Sequence, residues 1–274
     1  MTTPSLATRL AAGATALAAL AAAAGLATDV YRDVPAMVDQ ARAADLATLF
    51  LAVPTLTIAL WMAGRGSGRA RLVVAGSLGY VVYTYVIYAF QVVISPVTPL
   101  HIAILGLAAW SLMLQAPALA RETAGLGAGL PRRTSAGFLA LVAVLFAGLW
   151  LGQIASAITT GELPAAVADL NLPTSAVYTL DLAFALPLLG LGAWLLIRDP
   201  DAGYPLALAG LVFAVEMAIS VVAMFVIQAT HGELTDPSVA AVFAVIAATA
   251  AALAAFGLTD RLARRPLTLE GSAR

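Results

Sequence analysis

Eight stretches of this chain are each apolar over about the twenty residues that a helix needs to cross a bilayer. They lie at 7–27, 46–64, 72–94, 99–119, 135–158, 175–197, 204–228 and 238–258. Inside lipid every backbone amide and carbonyl must find a partner within the protein, so runs of this length fold as helices. Composition agrees: hydrophobic residues are 62% of the chain and charged residues 11%, against roughly 45–50% and 25% in soluble domains. The expectation is an all-α, polytopic transmembrane bundle of about eight spans. Residues 1–274 then form a single integral membrane domain, with the lipid bilayer as its first partner.

Charge orients the bundle. All fourteen basic residues are arginine. Arg9, Arg65, Arg69, Arg71, Arg121, Arg132, Arg133, Arg198, Arg261, Arg264, Arg265 and Arg274 fall on one side of an alternating topology, and only Arg32 and Arg42 on the other. The positive-inside rule puts the first side, with both termini, in the cytoplasm of a multi-pass cell-membrane protein. The N-terminus shares one feature with a signal peptide, a single Arg followed by small residues. Its apolar run is long for that role and no cleavage site stands out, so a retained first helix is expected. Residues 29–44 read as an external amphipathic helix lying on the outer leaflet, with a lid over a cavity as the sharper alternative. Val34, Met37, Val38 and Ala41 share one face there, with Asp39 and Arg42 off it.

Two segments share an order of parts. Asp45 to Arg65 and Asp181 to Arg198 both open with Asp-Leu-Ala, then carry Pro, Trp and Arg. Pro54 to Trp61 and Pro187 to Trp194 are each seven residues; Trp61 to Arg65 and Trp194 to Arg198 are each four. Spans two and three thus echo spans six and seven, four helices on, an offset that preserves orientation. The expectation is a parallel internal repeat of spans 1–4 and 5–8, with halves 1–120 and 135–260.

Ionisable groups inside spans are costly and commonly mark binding sites or ion and proton paths. At about 1.5 Å per residue, Asp45 lies at the outer mouth of span two and Asp181 about 9 Å below that surface in span six. By the same rise Glu216 lies about 18 Å down span seven. Hydrogen-bonded neutral acids are the bland reading, and a proton or cation site the sharper one. Span three carries Ser77, Tyr80, Thr84, Tyr88 and Gln91 at spacings of three, four, four and three, which is one helical face. Tyr83 and Tyr85 add hydroxyls nearby. Phenols suit a cavity wall or a buried acid's partner; the plainer alternative is hydrogen bonding that only holds helices together. Thr174, Tyr178 and Asp181 share a face of span six that can meet this stripe. Pro54 and Pro187 each remove an amide donor in the outer half of a span, where a kink opens a vestibule.

Several chemistries are excluded or unsupported. The chain has no cysteine, hence no disulfide or thiolate, and no lysine for a Schiff base. His101 and His231 have no ligand spacing, so neither a metal nor a cofactor is expected. A net charge of −1 gives no field for nucleic acid.

DLATL at 45–49, RGSGRARL at 65–72, GYVVYTYVIYAF at 79–90, LDLAFALPLLG at 180–190 and RDPDAGY at 198–204 resemble a family of uncharacterised bacterial multi-spanning integral membrane proteins. The resemblance covers most of the chain from Asp45 onward. It implies a polytopic membrane fold and no particular activity. The chain departs from the family pattern at Pro99–Ile102, which reads PLHI in place of FLxY.

The functional expectation is an outward-facing polar cavity between spans two, three, six and seven. It binds or transports a small molecule or lipid, proton-linked through Asp181 and Glu216. Asp45, Tyr80, Thr84, Tyr88, Gln91, Tyr178, Asp181 and Glu216 are the expected binding residues. One alternative is an intramembrane enzyme using the acids as general acid and base on a lipid-borne substrate. Another is a structural or assembly subunit whose polar residues serve packing alone. Whether the chain is an enzyme stays open at this point.

Overall fold

A computed structural model describes residues 4–123, 126–232 and 236–259, and in it the eight apolar stretches are eight helices. We label them α1 (Leu6–Ala27), α2 (Pro35–Gly64), α3 (Gly68–Gln91), α4 (Thr98–Glu122), α5 (Arg132–Thr160), α6 (Ala176–Arg198), α7 (Pro200–Thr230) and α8 (Pro237–Leu258). No strand occurs among the described residues. Arg261, Arg264, Arg265 and Arg274, used above for topology, lie outside them. The helices start where local chemistry favours a start. Ser5, Ser67, Ser175, Asp199 and Asp236 each accept an amide hydrogen bond at a helix N-terminus, and Pro35, Pro200 and Pro237 occupy first turns, where the missing N–H costs nothing.

The outer surface is apolar. Phe50, Trp61, Phe90, Trp110, Val144 and Trp194 are exposed, and Ile94 reaches 85%, a surface that water would drive together and lipid accepts. The chain is therefore a multi-pass integral membrane protein. At one end of the bundle the Arg65 guanidinium stacks 3.5 Å from the Trp61 ring centroid, a pairing of the kind that anchors a helix at a membrane interface. We call this the arginine end. The opposite end, bearing Asp29, Asp33, Asp39 and Asp236, is the acid end.

The apolar core has two parts. One joins Ala11, Ala14, Ala18 and Ala21 of α1 to Leu56, Leu78 and Ile104 of α2 to α4. The other joins Leu139, Leu189, Leu208, Leu211 and Leu253 of α5 to α8, with Leu72 of α3. α3 and α7 meet between them: a Cβ on Gly76 would lie 2.5 Å from the Ala209 carbonyl oxygen and 2.7 Å from Val212 Cβ. Only a residue without a side chain permits that approach.

Both α2 and α6 contain one widened turn, at Thr48–Ala52 and Asp181–Ala185, where an amide bonds five residues back: Val53 to Thr48 and Leu186 to Asp181. Each lies immediately before a proline that lacks a donor and crowds the preceding turn, and widening relieves both conflicts. Thr48 and Asp181 are 133 residues apart, as are Pro54 and Pro187, and Trp61 and Trp194.

The structure differs from expectation over residues 29–44. This segment forms no separate helix on a membrane surface; from Pro35 onward it is the first turns of α2. Met37, Asp39, Ala41 and Ala43 are all buried, so the Asp39 side of this turn packs against protein. The reason is that α7 runs on to Thr230 and covers it, with His231 Nδ1 3.0 Å from Asp39 Oδ2. Asp33 ties the preceding loop down, accepting from the amides of Val34 (2.8 Å) and Val93 (2.9 Å).

Candidate functional site

α3 is the spine on which all three intramembrane acids are arranged. Its residues Tyr88, Tyr83 and Ser77 each touch one acid, so the acids descend from the acid end in three steps spanning about 16 Å at 1.5 Å per residue. They do not converge, contrary to the expectation above, because each contacts a different side or level of α3.

Asp45 is fully buried. Tyr31 donates to its Oδ2 at 2.7 Å, and Tyr88 Oη lies 2.8 Å from Oδ1 and 2.7 Å from the Ala41 carbonyl. Burial, then the neighbouring Asp45 charge, pushes the Tyr31 phenol well above its ordinary pKa, so it stays a donor. Tyr31 stacks on Tyr88 at 6.0 Å and Tyr88 on His101 at 4.4 Å. The α1 backbone closes this cluster at Gly25, where a Cβ would overlap Asp45 Oδ2 and lie 2.6 Å from Tyr31 Oη. Tyr80, two steps along the stripe from Tyr88, is also buried; its hydroxyl donates to the Ala44 carbonyl at 3.3 Å and lies 3.3 Å from Thr48 Oγ1.

Glu216 lies deepest. Ser77 Oγ donates to its Oε1 at 2.6 Å, and Oε2 meets no partner among the described residues. Neither Glu216, Asp45 nor Tyr80 lines the cavity that Asp181 borders.

Asp181 does. A cavity of about 490 Å³ lies between α2, α3, α5, α6, α7 and α8, within the range of small-molecule sites. Its walls are mainly Met, Phe, Leu, Val and Ile, which corrects the expectation of a polar cavity between four spans. Among the eight expected binding residues, Thr84, Tyr88, Gln91, Tyr178 and Asp181 line it. On its wall Tyr83 Oη donates to Asp181 Oδ1 at 3.0 Å and Trp150 Nε1 to Oδ2 at 2.6 Å. Tyr178 donates to Gln153 Oε1 at 2.6 Å, and Gln91 Nε2 reaches the Thr174 carbonyl at 3.4 Å. Aromatic rings line the same cavity in contacting pairs, with centroids 5.3 Å apart for Trp150 and Tyr178, 5.7 Å for Tyr83 and Phe213, and 5.6 Å for Phe146 and Phe243.

Trp150 and Gln153 of α5 were absent from the expected set. α5 has no polar stripe to announce a site, and helix periodicity does not tell which spans are neighbours. A lone Trp and Gln four residues or fewer apart in an apolar run was the available signal. No group of three His, Asp or Glu side chains fit to hold a metal occurs among the described residues; Glu233, near His231 in sequence, lies outside them. No family model, no curated protein and no solved structure matches this chain.

Proposed function

We propose that this integral membrane protein binds, and carries through its bundle, a small molecule or lipid with an apolar body, using the cavity beside Asp181. One observation carries the reading: a single carboxylate, held by Tyr83 and Trp150, borders a mainly apolar cavity of about 490 Å³. A bundle held by packing alone gains contact energy by closing its helices together, which these walls do not do. Two acids acting on one substrate are not favoured, since Glu216 stays with Ser77 and outside the cavity. Of the acids expected to link protons to binding, the reading keeps Asp181 alone. The arginine bias supports an acid end facing outward, so that the cavity loads from outside the cell. The matched wide turns, prolines and tryptophans of α2 and α6 support reading 1–120 and 135–260 as parallel repeats.

The test is binding of the neutral lipophilic fluorophore N-phenyl-1-naphthylamine to the full chain in lipid nanodiscs. Saturable binding of one probe per chain is expected, above that of empty discs, and lost in Ala214→Phe, which fills the cavity from α7. Val239→Trp fills it from a partly exposed position and serves if Ala214→Phe misfolds. Binding unchanged in both filled variants refutes the reading.

A further inference from the structure

We propose that the ligand of this cavity is a lipophilic monocation: an organic ammonium or comparable onium ion with an aromatic or aliphatic body. The inference rests on the cavity reading above and adds the ligand's charge. Among the described residues lining the cavity, Asp181 alone carries a formal charge, and none is an arginine or a histidine. Its two oxygens each receive one hydrogen bond, from Tyr83 and from Trp150. Both donors are neutral, so the carboxylate's charge has no counter-charge on the cavity wall. In a wall of low polarity an uncompensated charge is expensive, and an opposite charge brought in by the ligand is strongly favoured.

The aromatic rings point the same way. Trp150, Tyr178, Tyr83, Phe213, Phe146 and Phe243 line the cavity, and the electron-rich faces of such rings attract a weakly hydrated cation. Trp150 contributes twice, its N–H orienting the carboxylate and its ring, 5.3 Å from that of Tyr178, adding to the cage. An anion would meet a carboxylate with no arginine to offset it. A phosphate-bearing lipid head would find no cationic partner. A neutral molecule gains from burial but leaves the charge uncompensated.

The experiment compares two ions of like shape and opposite charge, tetraphenylphosphonium and tetraphenylborate. Binding to the full chain in nanodiscs is measured by equilibrium dialysis, with empty discs subtracted. The unaltered chain should bind one phosphonium saturably and show no saturable borate binding, a comparison that needs no variant. Asp181→Asn should weaken phosphonium by about tenfold or more, as loss of one close unit charge requires. Equal affinity for the two ions, preference for borate, binding of neither, or an Asp181→Asn affinity within twofold of the original would each overturn the cation inference. In all four cases the cavity reading stands or falls separately, on the neutral probe and the filled variants.

Discussion

Gly25→Ala is the sharpest structural test of the Asp45 cluster. A methyl at this position would overlap Asp45 Oδ2 and sit 2.6 Å from Tyr31 Oη. Both groups are buried, so one must move and the 2.7 Å bond between them breaks. Leaving a buried acceptor unpaired costs about 1–3 kcal/mol, and forcing a methyl into a packed site about 1–3 kcal/mol more. Replacing a helical glycine by alanine returns up to about 1 kcal/mol. The net expectation is a loss of about 1–5 kcal/mol, read as unfolding by SDS in mixed micelles followed by circular dichroism. Gly106→Ala in α4 is the control: nothing lies within 4 Å of its added Cβ, so only the favourable helix term remains. Tyr31→Phe removes the same hydrogen bond from the other side. The double variant should therefore be less destabilised than the two single losses combined, because neighbouring changes that break one contact do not add. Gly25→Ala unfolding at the same SDS fraction as the parent and Gly106→Ala refutes the reasoning.

Three further outcomes follow from other contacts. Gly76→Ala should push α3 away from α7 and cost about 1–3 kcal/mol in the same unfolding assay, because its methyl meets the Ala209 carbonyl and Val212. His231→Ala removes the imidazole 3.0 Å from the buried Asp39, and faster hydrogen exchange is expected over the first turns of α2, measured by mass spectrometry. Hydrogen bonds from Ser238, side chain and then backbone, hold the Asp236 carboxyl below its usual pKa. A depressed folded-state value makes the cap's contribution present above the unfolded pKa of about 4, and it is lost as pH falls through the lower folded value. Exchange at the start of α8 should therefore quicken on acidification below about pH 4, and Asp236→Asn should abolish that pH dependence.

The span count was legible because length against bilayer thickness is a one-dimensional question. The positions of Pro54 and Pro187 likewise told where α2 and α6 would depart from regular helix. Partners across helices were harder. The 3.6-residue period put Ser77, Tyr80, Thr84, Tyr88 and Gln91 on one face, yet that face divides its contacts among acids on different helices. Tyr83, off the stripe, is the residue that reaches Asp181. The Trp150 and Gln153 pair was too weak a signal to tell that Trp150 would supply the second bond, since an indole in an apolar helix reads equally well as lipid-facing, as Trp110 and Trp194 are. Residues 29–44 misled because amphipathicity describes two kinds of surface, and a helix that buries a paired Asp39 against α7 has the same pattern as one resting on headgroups.

The widened turn of α6 begins at Asp181 itself. A turn closed five residues back holds one more residue than an ordinary one, and that residue is slack in the helix's angular register. Taking it up would rotate everything on one side of the turn by about 100° relative to the other. Asp181 would then swing away from Tyr83 and Trp150 without any break in the chain's path across the bilayer. The contacts of Asp181 with Tyr83 and Trp150 and the local winding thus depend on the same five residues.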